Sequence, residues 1–180
     1  MGLLKLFKST NQDTAYTWGL SLLEGKEANQ LLLLGSDEGR NLLTLLEAYP
    51  TAHVTCVEST SKDVIQKERY EIIQDNIADL SLPTKSNDLA FSFDSIYFWP
   101  DIDKCFREIY RVLVKNGSFV IINESDGKDL SGRSYQRLVQ NMKVYTSDEI
   151  VKFFKKAGFK NIQTYHHETH PWITIIGQKG

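Results

Sequence analysis

The chain has few cysteines and no long apolar run, and both scarcities narrow the classes of protein to which it can belong. Its 180 residues include two cysteines, Cys56 and Cys105, whose spacing fits neither a disulfide framework nor a zinc finger. The longest apolar runs, such as residues 31–34, are far shorter than the roughly 20 residues that cross a bilayer. Because the N-terminus also lacks a signal-peptide pattern, we expect a soluble, cytoplasmic protein without a membrane span.

The chain also has no excess of positively charged residues over negatively charged ones. The chain has 21 Lys and Arg residues against 23 Asp and Glu residues, a formal net charge of -2. No basic cluster is long enough to follow a phosphate backbone, so nucleic acid is not an expected partner. With 41% hydrophobic residues, the chain can build one core, and its length suits a single domain over residues 1–180. The oligomeric state stays open.

Short apolar runs alternate with helical stripes along the chain. Thr146 and Glu149 form a capping box that predicts a further helix start, and Gly158 is its expected left-handed end. Strands alternating with helices predict an α/β fold with a mostly parallel sheet. The predicted strands are 31–34, 53–57, 70–74, 88–93 and 118–122, and the predicted helices between them are 42–46, 61–67 and 101–113.

The end of the chain refines this fold. Residues 162–166 and 172–177 both have strand patterns, but only five residues separate them. A parallel crossover needs a dozen or more residues, so this last pair must be antiparallel. We therefore predict a Rossmann-like three-layer α/β/α sandwich whose seven-stranded, mostly parallel sheet has an antiparallel last strand.

Polar residues follow the first three predicted strands in an order that suits a nucleoside cofactor. Gly35 and Gly39 allow a tight turn before a helix whose N-terminal N–H groups are free to bind a ligand. Glu58 follows the second strand about twenty residues later, where an acidic side chain commonly binds ribose hydroxyls. Asp75 and Asn76 follow the third strand and could reach an adenine edge. Ligands of doubly wound sheets bind at such strand ends.

Seven segments carry a resemblance to a known family, and they are 31–40, 55–58, 76–90, 97–113, 119–124, 157–159 and 172–179. From Trp18 onward the chain resembles the class I S-adenosylmethionine-dependent methyltransferases. The resemblance implies S-adenosylmethionine as cofactor and no metal. The methyl acceptor is expected to be a small molecule, with another protein as the alternative. The cofactor-binding residues that it implies are Gly35, Ser36, Asp37, Gly39, Glu58, Ser59, Asn76, Ile77 and Phe93.

Further polar and aromatic residues follow the fourth and fifth predicted strands. Ligand sites favour aromatic side chains beside a few polar groups, so these residues are candidates for the acceptor pocket. They are Tyr97, Phe98, Trp99, Asn123 and Glu124. Methyl transfer is an in-line displacement that depends on proximity and orientation, so no catalytic triad or metal motif is expected.

The chain departs from the family pattern at Leu33, at Asp37, at the bend 114–117, and in the helix after Glu58, which is shorter than usual. Leu33 stands where the family usually has an acidic residue, and Asp37 stands where it has a glycine. Asp37 could bind the cofactor's ammonium group, or it could cap the helix and occupy the place of the cofactor's carboxylate. A lapsed enzyme that acts as a binding or scaffolding module therefore remains an alternative. The terminal hairpin argues against a third reading, a nicotinamide-dependent oxidoreductase.

Three other segments complete the expectations. Residues 1–25 are predicted to form a helical flap, with its helix at 13–23, and residues 125–145 form a lid that selects the substrate. His166 and His167 point to opposite faces of a strand, so the histidine-rich segment 166–170 is not expected to bind a metal.

Overall fold

The computed structural model describes residues 14–35, 39–59, 65–129, 134 and 136–180, and the elements named below lie within these ranges. The helices are α1 (Ala15–Ser21), α2 (Arg40–Ala48), α3 (Ile102–Val112) and α4 (Ser147–Ala157). The strands are β1 (Gln30–Leu34), β2 (His53–Glu58), β3 (Ile65–Gln66), β4 (Tyr70–Gln74), β5 (Asn87–Phe93), β6 (Leu113–Asn123), β7 (Lys160–His166) and β8 (Ile173–Gln178). A 3₁₀ turn covers Ile96–Phe98.

The strands described here form one sheet in the order β3-β4-β2-β1-β5-β6-β8-β7. The neighbours from β4 to β6 are parallel, whereas β8 is antiparallel to both β6 and β7. The predicted α/β sandwich and its reversed last strand are therefore confirmed. The strand order reverses between β1 and β5, and a crevice at such a switch point is where doubly wound sheets bind ligands.

The edge strand β3 corrects the sequence-based prediction. A helix was expected over residues 61–67, but Ile65 and Gln66 pair antiparallel with Ile72 and Glu71 of β4, which adds an eighth strand. The backbone N–H of Lys67 donates to the carbonyl of Tyr70 at 2.8 Å and closes the hairpin. A two-residue strand carries too little alternation to be detected, and the open edge of β4 supplies its hydrogen-bond partners.

Helices cover both faces of the sheet. The helices α1 and α2 pack on the face that presents Leu31 and Leu33, and α3 and α4 pack on the face that presents Leu32 and Leu34. All four leucines are fully buried, as expected for a central parallel strand with both faces covered. None of the helices in the described ranges has the length and apolar character needed to cross a membrane.

Local signals set the ends of the predicted helices. The Thr146 hydroxyl accepts from the N–H of Glu149, and the Glu149 carboxylate accepts from the N–H of Thr146, which confirms the predicted capping box. The helix ends at Gly158 with φ of 102°, the left-handed conformation expected there. The described part of the predicted flap contains α1, which begins with a capping box between Thr14 and Thr17.

Candidate functional site

A cleft of about 540 Å³ opens at the carboxyl ends of the central strands, beside the switch point between β1 and β5. Consecutive strand ends contribute to it because parallel strands all finish at the same edge of the sheet. Its lining residues are Gly35, Val57, Glu58, Ser59, Gln74, Asp75, Asn76, Ile77, Ser95, Phe98, Trp99 and Pro100. Five of the residues implied for the cofactor are therefore brought together: Gly35, Glu58, Ser59, Asn76 and Ile77.

The turn after β1 depends on Gly35. Its φ of +91° is a conformation that glycine adopts without strain, and its N–H donates to the carbonyl of Val57 at 3.0 Å. A Cβ built on Gly35 would lie 3.1 Å from the Cβ of Ser95, tighter than ordinary van der Waals contact. A side chain at residue 35 would therefore crowd Ser95 and strain the turn, so the bare backbone of Gly35 forms this part of the cleft lining. This geometry fits a cofactor that must approach the backbone closely.

The β2 end supplies the acidic side chain of the cleft. Glu58 is the last residue of β2 and is partly exposed, with its carbonyl accepting from the N–H of Asp75 at 3.1 Å. This bond holds the loop after β4 against the end of β2. A carboxylate at this position can accept hydrogen bonds from two vicinal hydroxyls.

The conformation of the loop after β4 is stabilised by hydrogen bonds to the carboxylate of Asp75, which lies in the loop itself. One carboxylate oxygen of Asp75 accepts from the N–H of Asn76 and the other from the N–H of Ser81, both at 2.8 Å. The side-chain oxygen of Asn76 accepts from the N–H of Ala78 at 3.0 Å. The loop is therefore preorganised, and it presents the apolar side chain of Ile77 to the cleft.

An aromatic wall closes the opposite side of the cleft. Phe98, at the end of the 3₁₀ turn, is 55% exposed, which is unusual for so large an apolar side chain. Trp99 follows it and stacks on Phe119 with ring centroids 6.1 Å apart. Its indole nitrogen is buried and has no hydrogen-bond partner in the described part of the protein. The wall can provide a flat apolar surface for a planar ligand.

A buried carboxyl group, Asp94, lies at the carboxyl end of β5. It accepts hydrogen bonds from the hydroxyls of Tyr16 at 2.8 Å and Tyr97 at 3.3 Å, and from the N–H of Glu124 at 3.0 Å. Burial raises the pKa of Asp94 to about 6, although these hydrogen bonds oppose the shift. Burial, with the charge of Asp94, raises the pKa of Tyr97.

Of the residues expected to bind the acceptor, Phe98 and Trp99 line the cleft, whereas Tyr97 and Glu124 lie beside Asp94. Tyr97 is 5% exposed, and Glu124 is exposed. Asn123 is fully buried, and neither of its amide atoms has a hydrogen-bond partner in the described structure. Phe93, implied for the cofactor, packs in the core against Tyr16 with ring centroids 5.0 Å apart. The structure thus separates Phe93 from the cleft.

Other predicted features lie at the margin of the cleft or outside the described residues. Gly39 precedes α2 with φ of +91°. Ser36, Asp37 and the first half of the predicted flap lie outside the described ranges. The predicted lid, 125–145, is described in part, and its Lys143 N–H donates to the carbonyl of Tyr97 at 2.9 Å.

The histidine-rich segment is a turn stabilised by side chains. His167 Nδ1 accepts from the backbone N–H groups of Thr169 and His170, both at 3.2 Å, and the His170 ring stacks on Trp172 at 4.1 Å. Among the residues that the structure describes, no group of three or more His, Cys, Asp or Glu side chains could hold a metal ion.

Sequence reasoning missed two polar residues that directly follow β5. Asp94 and Ser95 come immediately after the buried strand, and Ser95 lines the cleft. The same signal that selected Glu58, a polar side chain at the end of a buried strand, would have found both residues. Val57, Gln74 and Pro100 also line the cleft, but nothing in their local sequence sets them apart.

Sequence comparisons show which known proteins this chain is similar to. Residues 32–121 match the sequence model of a family described as "Methyltransferase domain". A malonyl-[acyl-carrier protein] O-methyltransferase from Geobacter sulfurreducens is 28% identical over 177 residues, which cover 84% of this chain and 65% of that protein. A chloroplastic 2-methyl-6-phytyl-1,4-hydroquinone methyltransferase from Arabidopsis thaliana is 26% identical over 136 residues, 72% of this chain and 40% of that protein.

A solved structure gives the same fold. Human N-acetylserotonin methyltransferase, crystallised in complex with S-adenosylmethionine, superposes with a TM-score of 0.75 at 18% identity. The match covers 93% of this chain and 52% of the human chain. The chain thus spans less than two thirds of the length of the relatives described here.

Proposed function

The chain belongs to the methyltransferase domain family, and from this premise we propose that it transfers a methyl group from S-adenosylmethionine to a small-molecule acceptor. The observation that carries the proposal is the convergence of Gly35, Glu58 and Asn76 on one cleft at the switch point. These residues end three different strands, and each has the chemistry that one part of a nucleoside cofactor requires. The relatives' names, all of methyltransferases, support the same activity.

In this proposal each cleft residue has a separate binding role. The carboxylate of Glu58 accepts the ribose hydroxyls, and the loop at Asn76 and Ile77 contacts the adenine. The turn at Gly35 allows the amino-acid end of the cofactor to approach the backbone. The bound cofactor supplies the activated methyl group, and the protein contributes orientation and exclusion of water.

The acceptor side is proposed to lie near Tyr97, Asn123 and Glu124, and Glu124 is the exposed residue of the three beside which an acceptor can enter. These residues lie at the ends of β5 and β6, next to the predicted lid at 125–145. Polar groups there can orient a nucleophile towards the methyl group. The two relatives named above differ in their acceptors, so the class of acceptor in this protein is kept to a small molecule.

Calorimetric titration tests the cofactor assignment directly. The purified chain is titrated with S-adenosylmethionine, with S-adenosylhomocysteine and with NAD. We expect saturable binding of the two adenosyl compounds and none of NAD. Binding of NAD alone would contradict the proposal. Transfer of a labelled methyl group from S-adenosylmethionine to a panel of small hydroxyl, amine and quinol compounds then identifies the acceptor class.

One observation favours a second candidate, a lapsed enzyme that retains the fold as a binding module. Leu33 is fully buried and cannot serve the ammonium group of the cofactor. If Asp37 also occupies the place of the cofactor's carboxylate, Asp37→Gly should tighten binding of S-adenosylmethionine by roughly tenfold, because one capping interaction of about 1 kcal/mol or slightly more is removed. In a working enzyme the same substitution should weaken binding or leave it unchanged.

A further inference from the structure

The buried position of Leu33 raises the question of which group would bind the cofactor's ammonium. Leu33 is paired with Cys56 of β2 and with Phe91 of β5, and its side chain is fully enclosed by the core. A hydrocarbon side chain cannot accept a hydrogen bond from an ammonium group, which carries N–H donors and a full charge. An acidic partner then has to come from another position, either Asp37 in the loop after β1 or a residue at a neighbouring strand end.

The two strands that flank β1 in the sheet each have an acid at the carboxyl end, and because Glu58 of β2 is assigned to the ribose, Asp94 is the remaining acid. It directly follows β5, which lies beside β1 in the sheet, and its backbone N–H continues the ladder by donating to Ile122 at 3.1 Å. The next residue, Ser95, lies against Gly35 and bonds to the carbonyl of Leu34. Asp94 is therefore one residue from the turn that the cofactor's amino-acid end would approach.

The carboxylate of Asp94 accepts hydrogen bonds, but no positively charged side chain in the described part of the chain balances its charge. Its donors are two tyrosine hydroxyls and one backbone N–H. In the described part of the chain, no Lys, Arg or His side chain is hydrogen-bonded or ion-paired to it, and the neighbouring charge of Glu124 is also negative. A buried charge without a counter-ion is costly, so a bound cation would complete this arrangement.

We propose that Asp94 binds the ammonium group of the amino-acid end of S-adenosylmethionine, in place of the acid that is absent at Leu33. This inference rests on the proposed function. The Asp94 oxygen that accepts from Tyr16 has one partner in the hydrogen bonds described, and a carboxylate oxygen can accept two. The tyrosines and the N–H of Glu124 hold the carboxylate in place, which leaves that oxygen for the ammonium group.

A pair of ligands tests this assignment without knowledge of the methyl acceptor. S-adenosylhomocysteine carries the ammonium group, whereas 5′-methylthioadenosine lacks the entire amino-acid end but keeps the adenosine. We expect Asp94→Asn to weaken binding of S-adenosylhomocysteine by about tenfold or more, because one charged hydrogen bond is lost. Binding of 5′-methylthioadenosine should change by less than about twofold. Both affinities are measured by calorimetry at pH 7.5.

Asp88→Asn is the matched control. Asp88 lies near the start of β5, and its carboxylate accepts from the N–H groups of Asn29 and Gln30 at the opposite edge of the sheet. It therefore reports the effect of losing a structural carboxylate on the same strand. This variant should bind both ligands like the natural protein.

The pH dependence of binding gives a second readout. The titratable groups that face Asp94 are Tyr16 of α1, Tyr97 of the 3₁₀ turn and Glu124 after β6, and Asp129 acts on Tyr97. Protonation of Asp94, whose pKa is about 6, removes the charge that binds the ammonium group. Binding of S-adenosylhomocysteine should therefore weaken as the pH falls from 7.5 to 5.5, and Asp94→Asn should lose that component of the dependence.

Other outcomes overturn the inference. Equal weakening of both ligands by Asp94→Asn would indicate a structural role, and unchanged binding would place the carboxylate on the acceptor side. A selective loss caused by Asp37→Asn instead would assign the ammonium group to Asp37. If the natural protein binds neither adenosyl ligand, the proposed function fails together with this inference. If it binds both and only the Asp94 result is negative, the proposed function stands.

Discussion

The hydroxyl of Ser95 donates a hydrogen bond to the carbonyl of Leu34 and joins the ends of β5 and β1 across the switch point of the sheet. The same hydroxyl contacts that of Ser92 at 2.8 Å, so the β5 end carries a short polar chain beside the glycine turn. Leu34 is the last residue of β1, and its carbonyl would otherwise have a free acceptor site at the floor of the cleft. Ser95 therefore stabilises the geometry of the turn at Gly35.

Ser95→Ala should weaken cofactor binding without unfolding the protein. The substitution removes the hydrogen bond to the carbonyl of the buried Leu34, with a net worth of about 1 kcal/mol, and loosens the turn at Gly35. We expect the dissociation constant of S-adenosylhomocysteine, measured by calorimetry, to rise about three- to tenfold. Ser86→Ala, just before β5 at the opposite edge of the sheet, is a control for loss of a serine hydroxyl, because that hydroxyl donates to the carbonyl of Pro83 at 2.8 Å. Equal affinities of Ser95→Ala and the natural protein would show that the turn does not need this bond.

Glu58→Ala should weaken binding of S-adenosylhomocysteine at least about tenfold, because charged hydrogen bonds are worth roughly 1.5–3 kcal/mol each. Glu58 ends β2 and lines the cleft, whereas Glu47 is an exposed acid on α2. Glu47→Ala therefore controls for a change in net charge, and it should leave the dissociation constant unchanged. An identical response of the two variants in calorimetry would remove Glu58 from the ribose site.

The stability of the protein should depend on pH through Asp94. Its pKa is raised to about 6 in the folded state, mainly by burial, and is about 3.9 in an unfolded chain. Between these values the folded state binds more protons, so the contribution of Asp94 to stability is present at acid pH and is lost as the pH rises through 6.

Chemical denaturation of the natural protein and of Asp94→Asn isolates this contribution. The difference between their free energies of unfolding should shift in favour of the natural protein by up to about 2–3 kcal/mol as the pH falls from 7.5 to 4. Other titrating groups affect both proteins and cancel in the difference. A difference that stays constant over this range would mean that the Asp94 carboxyl is not desolvated.

Gly127→Ala, at the start of the predicted lid, should lower the free energy of unfolding by more than the cost of a left-handed backbone conformation for alanine. Gly127 has φ of +74°, and a Cβ there would lie 2.4 Å from the carbonyl oxygen of Tyr145. Gly25 has φ of +80° with no atom near its Cβ position, so Gly25→Ala measures the conformational cost alone, about 1–2 kcal/mol. We expect Gly127→Ala to lower the free energy of unfolding by at least about 1 kcal/mol more than Gly25→Ala does. Equal losses in urea denaturation would show that the contact with Tyr145 relaxes freely.

Several features of this protein follow from the sequence alone because they depend on local patterns. The four leucines of β1 form a continuous apolar run, which is typical of a strand with both faces covered. Thr146, Glu149 and Gly158 mark the ends of α4 through side-chain and backbone preferences of single residues. The six residues between β7 and β8 are too few for a parallel crossover, so the length of this connection by itself predicted the reversed last strand.

Only the tertiary structure decided the features that depend on contacts between distant segments. The strand β3 forms because β4 offers it an unpaired edge, which no local pattern records. Phe93 lies away from the cleft because α1 brings Tyr16 against it, and α1 is 72 or more residues away along the chain. The environment of Asp94 is assembled from α1, the 3₁₀ turn and the residue after β6. Burial and hydrogen bonding between such segments set the charge and position of this acid, and neither property can be derived from the residues beside it in the sequence.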